Sequence, residues 1–110
     1  MTDDERWYGV RCVFVHAWPA GEHERTYEER VTLWRAPSFD AAIELAEAEA
    51  ADYCDVLTAT TYLGAAQAYW LSDEPGHGAE VFSLMRDSAL PPETYLDTFF
   101  TTGSERQHRL

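Results

Sequence analysis

Lysine is absent from this chain of 110 residues, so arginine supplies all eight of its permanently basic side chains. None of these arginines lies between positions 36 and 85, a stretch that carries nine carboxylates. These carboxylates are Asp40, Glu44, Glu47, Glu49, Asp52, Asp55, Asp73, Glu74 and Glu80. Non-specific binding to nucleic acid requires Lys and Arg to neutralise phosphates. A net charge of −12 therefore opposes binding to nucleic acid and to anionic membranes.

Cysteine and long apolar runs are also scarce. Cys12 and Cys54 are the two cysteines, and neither belongs to a CxxC motif. Both fall on predicted apolar faces, so we expect two reduced, buried core residues rather than a disulfide. The opening MTDDERW is acidic and polar, unlike a signal peptide, and no apolar run approaches the length of a membrane span. The sequence thus predicts a cytoplasmic protein.

The motifs of the common catalytic and metal-binding classes are missing. No GxSxG, GxGxxG, P-loop, HExxH or EF-hand pattern occurs. The four histidines lie in four separate segments, and Asp73-Glu74 beside Pro-Gly is the one loop candidate for a cation, better explained as a solvated turn. We therefore assign no catalytic residue, metal ligand or cofactor, and the sequence favours a non-catalytic protein over an enzyme.

The length predicts a single domain over residues 1–110, with frayed ends at about 1–5 and 104–110. Residues 7–15 and 26–35 are rich in aromatic and β-branched side chains that alternate with polar ones. Alternation of period two indicates half-buried strands, and the Pro-Ala-Gly-Glu between them indicates a turn. These two segments predict an antiparallel hairpin.

A helix is predicted from about Ser38 to Tyr53. Ser38 is a favourable N-cap, and the acidic residues that follow suit the positive end of the helix dipole. Apolar residues recur at helical spacing along one side, with alanine prominent among them. Asp40, Glu44 and Glu47 line an adjacent arc without a basic neighbour. We call these three carboxylates the acidic ridge.

The rest of the chain predicts two more strands and a short helix. Residues 58–71 indicate a strand in which alanine and glycine allow close packing, and residues 80–85 indicate a fourth strand. The helix begins after the prolines at 91 and 92 and ends at Gly103. The predicted fold class is therefore α+β, with a four-stranded, mostly antiparallel sheet in ββαββα order and the long helix on one face.

Several segments resemble one bacterial family. They are WYGVRCVF, YEERVTLWRAPSFDAAIELAEAEAADY, YLGAAQAYWL, EVFSLMRDSALPPETYLDTFF and TGSERQ, which together span roughly residues 7–107. The sequence is similar in these segments to the family called domain of unknown function 4288. The resemblance implies a small α+β protein and supplies no activity or functional residue to carry over.

Three functional hypotheses follow. In the first, the chain is a small acidic binding module that recognises a protein partner or a second copy, in an immunity-type or regulatory role. The candidate partner-binding residues are Asp40, Glu44, Glu47, Trp18 and Trp34. The second is a small-ligand carrier or enzyme with a pocket between helix and sheet, lined by Tyr53, Tyr62, Tyr69 and an arginine. The third is a structural subunit with a large apolar self-interface.

Overall fold

A computed structural model describes residues 5–17 and 25–101 of the chain. The predicted frayed ends fall largely on residues 1–4 and 102–110, which lie outside the described part, as does Gly103. In chain order the elements are β1 (Arg6–His16), β2 (Thr26–Ala36), α1 (Phe39–Val56), β3 (Thr60–Trp70) and α2 (Pro92–Tyr95), with α2 continued by a wider π-helical turn at Leu96–Phe100. The α+β class is confirmed.

The three strands form one antiparallel sheet in the order β2-β1-β3. The predicted hairpin is β1 and β2, which pair over their full length from Arg6 with Ala36 to His16 with Thr26. The alternating residues Tyr8, Val10, Cys12 and Phe14 of β1 face α1 and are buried. We call the opposite side of the sheet the open face.

Helix α1 lies against the sheet through a row of alanines. The Oγ atom of Ser38 accepts a hydrogen bond from the Ala41 amide at 3.1 Å, which confirms the predicted N-cap. Ala42, Ala46 and Ala50 are buried one turn apart. Because alanine has no side chain beyond Cβ, the helix backbone can approach the sheet closely. The helix ends at Val56, three residues later than predicted.

The core around this contact contains one of the two cysteines. Both are free, and Cys12 is buried as predicted, whereas Cys54 is only half-buried. The prediction of burial was therefore wrong for Cys54, which lies at the margin of the helix face that contacts the sheet. Burial raises the pKa of the Cys12 thiol and outweighs the hydrogen bond with Tyr62, which lowers it. Cys12 is consequently a packing residue rather than a nucleophile.

Strand β3 carries a β-bulge opposite the middle of β1. Cys12 pairs with Ala66, but Phe14 pairs with Tyr62, so β3 has extra residues between these two points. Gly64 lies within the bulge at a φ of 73°, a conformation that favours glycine. A Cβ atom at Gly64 would meet nothing within 4 Å. The glycine is thus required by backbone conformation and not by the close packing that the sequence suggested.

The predicted fourth strand was wrong. Residues 80–85 form no strand, and the segment instead crosses the open face. The Tyr69 hydroxyl donates to the Val81 carbonyl at 2.7 Å, and the Tyr69 and Phe82 rings meet edge to face at 5.6 Å. Gly9 makes this possible, because a Cβ there would lie 2.2 Å from the Tyr69 ring. The ββαββα order is therefore replaced by ββαβ and a C-terminal helical segment.

Residues 85–100 extend from this body, and we call them the C-terminal arm. The short helix predicted after Pro92 is present. Arg86 folds onto it, with its guanidinium 4.0 Å from the centre of the Phe99 ring and a 3.0 Å hydrogen bond to the Tyr95 hydroxyl. Within the described residues, the helical part of the arm approaches neither the sheet nor α1.

Candidate functional site

The three ridge carboxylates differ in their surroundings. Asp40 and Glu44 are exposed on the outer side of α1. Glu47 instead accepts a 2.6 Å hydrogen bond from the Tyr62 hydroxyl of β3 and is only partly exposed. Burial, and next the bond to Glu47, raise the pKa of Tyr62, so this hydroxyl remains a donor at physiological pH. Glu47 therefore connects α1 to β3, whereas the other two carboxylates of the acidic ridge face outward.

The tryptophan predictions also change. Trp18 lies outside the described residues. Trp34, predicted to be exposed, is half-buried against the core on the α1 side of the sheet, and its indole N–H donates to the Thr32 hydroxyl at 2.6 Å. The well exposed tryptophan of the described part is Trp70, at 52%, with the Arg6 guanidinium 5.7 Å from its ring centre. The sequence did not single out Trp70, because its alternation within β3 does not reveal that α1 fails to cover it.

A polar cluster joins all three strands and α1 at one end of the sheet. His16 Nδ1 lies 2.8 Å from Thr60 Oγ1, and His16 Nε2 lies 2.9 Å from Glu28 Oε1. The Tyr53 hydroxyl donates to the same Glu28 oxygen at 2.8 Å. The neutral tautomer with its proton on Nε2 satisfies both histidine contacts, with the Thr60 hydroxyl donating to Nδ1. One imidazole thus bridges β1, β2 and β3.

Arg30 completes this cluster on the β2 side. Its guanidinium lies 4.1 Å from the centre of the Tyr53 ring and forms an ion pair with Glu49 of α1. The hydrogen bond with Glu49 raises the pKa of Arg30 despite its partial burial. Glu49 on one side of α1 and Glu47 on the other therefore each bond a strand residue, and the two contacts fix the rotation of the helix on the sheet.

The row of Thr60, His16 and Glu28 has the order of a nucleophile, a base and an orienting carboxylate. The Glu28 oxygen that faces the imidazole also accepts a hydrogen bond from the Tyr53 hydroxyl of α1, so this carboxylate links the helix to the sheet as well. A cavity of about 420 Å³ lies elsewhere, on the open face, where Arg11, Tyr69 and Phe82 contribute to its lining. The cluster connects α1 with all three strands.

Sequence reasoning predicted His16 as a half-buried sheet residue, which is confirmed, but it did not connect His16 with Glu28. The register of the β1–β2 hairpin indicates that His16 and Glu28 are neighbours. His16 pairs with Thr26, so Glu28 lies one step further along the same face of the neighbouring strand. A histidine and a glutamate at such diagonal positions are within reach of each other.

The tyrosines proposed to line a helix–sheet pocket do not share one. The Tyr53 and Tyr62 rings both contact Phe14, with centroid distances of 5.1 and 5.4 Å, and fill the space between α1 and the sheet. Tyr69 lies on the open face, where it bonds Val81.

The Glu28 contacts make stability depend on pH. Burial alone would raise the pKa of Glu28, but the hydrogen bonds from His16 and Tyr53, aided by their neighbour Arg30, lower it below its ordinary value. A carboxylate with a lowered folded-state pKa stabilises the fold above its unfolded-state pKa, and this contribution disappears as pH falls through the folded-state pKa. Urea unfolding at neutral pH should therefore show Glu28→Gln less stable by about 1 kcal/mol, because Glu28 is partly exposed.

The difference between the wild type and Glu28→Gln should shrink as pH falls below about 4.5. Glu44→Gln, which removes one exposed carboxylate from α1, is the control and should have little effect at either pH. A Glu28→Gln penalty that stays constant down to pH 3 would show that the lowered pKa of Glu28 does not contribute to folding.

Comparisons with known proteins return no relative: no family model, curated protein or solved structure matches the chain. Within the described part of the chain, no group of three or more His, Cys, Asp or Glu side chains is arranged to hold a metal ion. None of the described helices has both the length and the apolar character needed to cross a membrane.

Proposed function

We propose that this protein is a non-catalytic binding module that recognises a basic protein partner through the outer surface of α1. The observation that carries the proposal is a charge imbalance within one element. Helix α1 bears six carboxylates and no basic residue. Glu47 and Glu49 bond the sheet, and the other four are exposed. The exposed four are Asp40, Glu44, Asp52 and Asp55, and we call them the outer acidic surface.

These exposed charges cost some stability. Like charges three or four residues apart on a helix repel each other by a few tenths of a kcal/mol. Asp55 in the last turn also lies at the negative end of the helix dipole, which disfavours it. A helix sequence that favoured stability would have basic residues in the last turn and between the acidic ones. A complementary basic partner would neutralise the repulsion, as occurs when small acidic immunity-type proteins cover basic toxins.

Two matched variants test the proposal. The first, Asp40→Asn/Glu44→Gln/Asp55→Asn, removes three charges from the outer acidic surface. The free energy of unfolding of this variant should change little. Removing the charge of Asp40 from the first turn weakens the helix, whereas removing the charge of Asp55 from the last turn strengthens it. The control, Asp73→Asn/Glu74→Gln/Glu80→Gln, removes three exposed charges after β3 and leaves α1 intact.

The partner is first captured from a lysate of the native cell on immobilised wild-type protein and is then purified for binding kinetics. We expect a basic protein whose association with the helix variant is about tenfold slower, because surface charges act mainly on encounter. Added salt should slow the wild type to the same rate, since the screening length is about 8 Å at physiological ionic strength. The loop control should associate at nearly the wild-type rate. If both variants slow association equally, net charge alone is responsible and the proposed surface is wrong.

A further inference from the structure

The helical end of the C-terminal arm packs against neither the sheet nor α1 within the described residues. Residues 92–100 span nine residues, and isolated helices shorter than about 12–15 residues are marginal in water. In proteins such helices are stabilised by packing one face against another element. The described part of this chain brings neither the sheet nor α1 near them. Exposed apolar side chains nevertheless occur along the arm, namely Met85, Leu90, Phe99 and Phe100.

The open face of the sheet carries a complementary apolar surface at the end away from Tyr69. Tyr27 is 61% exposed, although it pairs with Val15 near the end of the β1–β2 hairpin. The neighbouring apolar side chains on this face are exposed or half-buried. The set comprises Val13, Val15, Tyr27, Val31 and Leu63, and we call it the open-face patch.

We propose that two copies of this chain form a symmetric dimer in which the C-terminal arm of each covers the open-face patch of the other. Such an exchange buries the open-face patch of both copies, and it gives each short helix an apolar surface that the described sheet and α1 of its own copy do not provide. Exchange of identical elements is a common route to two-fold dimers. The inference concerns the sheet side of the molecule, so it is independent of the partner proposed for α1.

The direction of the arm favours a second copy over its own sheet. Pro91 and Pro92 are consecutive, and Pro91 adopts an extended φ of −62° and ψ of 157°. Consecutive prolines stiffen a connection and limit its ability to fold back. The Cα radius of gyration is 16.9 Å, whereas a compact chain of this size has about 13 Å. The arm therefore projects from the body instead of completing its own core.

Charge distribution also permits self-association on this side. With a net charge of −12, two copies repel each other over most approaches. The open face is nearly balanced, because Arg11 and Arg35 accompany Glu29 there, and Arg11 lies 3.5 Å from Glu29. Exposed carboxylates of α1 lie on the opposite side of the sheet. A dimer formed through the open faces consequently holds the two acidic helices apart.

Sedimentation of the full chain between 1 and 100 μM tests the dimer, and two variants test the surfaces. Phe99→Ser/Phe100→Ser alters the arm, and Tyr27→Thr/Val31→Thr alters the patch while retaining strand propensity. All four positions are exposed, so the sheet and α1 should remain folded. We expect a wild-type dimer, and weakening by at least about 100-fold in each variant, because buried aromatic anchors dominate interfaces. The control Leu45→Gln/Val56→Gln removes exposed apolar side chains from α1 and should dimerise normally.

Mixing the two variants distinguishes exchange from other arrangements. The arm variant retains an intact patch and the patch variant retains an intact arm, so the mixture should form a heterodimer with one complete contact. Each variant alone should sediment as a monomer at the same concentration. A monomeric wild type throughout the range would overturn the proposal, as would a dimer that survives the arm substitutions. Failure of the mixture to associate would overturn arm exchange specifically.

Discussion

Replacing Phe14 by alanine should destabilise the protein by about 3–5 kcal/mol, the usual cost of deleting a buried aromatic ring. Phe14 is completely buried on the central strand of the sheet, facing α1. Its ring meets Tyr53 of the helix edge to face and Tyr62 of β3 at a tilt. Both tyrosines are held by hydrogen bonds to carboxylates, Glu28 and Glu47 respectively. They cannot move into the vacated space without breaking those bonds, so most of the cavity should remain.

Urea unfolding at neutral pH measures this loss. The matched control is Phe82→Ala, which removes the same ring from a largely exposed position on the open face and should cost about 1 kcal/mol or less. Phe14→Leu should fall between the wild type and Phe14→Ala, because it fills part of the cavity. A Phe14→Ala penalty no larger than that of Phe82→Ala would contradict the central position of Phe14 in the core.

Enlarging Ala46 should have the second largest effect. Ala46 is 1% exposed in the middle of the alanine row through which α1 contacts the sheet. Leucine there adds three carbon atoms where the helix and sheet backbones approach each other. Overpacking of this kind costs about 1–3 kcal/mol, and occasionally more. We expect the upper end for Ala46→Leu, because the Glu47–Tyr62 and Glu49–Arg30 contacts on either side resist displacement of the helix.

Thermal unfolding of Ala46→Leu and Ala48→Leu provides the comparison. Ala48 belongs to the same helix but is exposed, and leucine has nearly the helix propensity of alanine. Ala48→Leu should therefore unfold close to the wild-type temperature, whereas Ala46→Leu should unfold several degrees lower. Equal midpoints for the two variants would show that α1 does not approach the sheet through its alanine row.

Periodicity predicted the local elements well, since it depends on which side of an element is buried. The β1–β2 hairpin and the helix that begins after Ser38 follow from alternation and helical spacing in the sequence. The same signal failed for residues 80–85. Residues of this segment do contact the sheet, but alternation cannot distinguish a strand that pairs along an edge from a segment that crosses a face. The segment crosses the face because the Tyr69 ring lies over Gly9, where no side chain obstructs it, and contacts Val81 and Phe82 from there.

The candidate site shows the same limit. Helical spacing placed Asp40, Glu44 and Glu47 on neighbouring positions of α1, yet only the tertiary contact with Tyr62 removes Glu47 from the exposed set. The alternation of β2 placed Trp34 on the face opposite Leu33. That face was predicted to be exposed, but α1 covers it. The sequence therefore identified the acidic element, whereas the division between carboxylates that hold the fold and carboxylates that face outward required the structure.

The strand order affects how the chain can fold during synthesis. Among the described strands β1 comes first and is also the central one, so its second neighbour, β3, is made only after β2 and the whole of α1. At about 5–20 residues per second, the hairpin waits several seconds with one edge of β1 unpaired. An unpaired apolar strand edge is a template for aggregation. The early hairpin thus depends on α1, which is made before β3, to cover its buried face while that edge stays open.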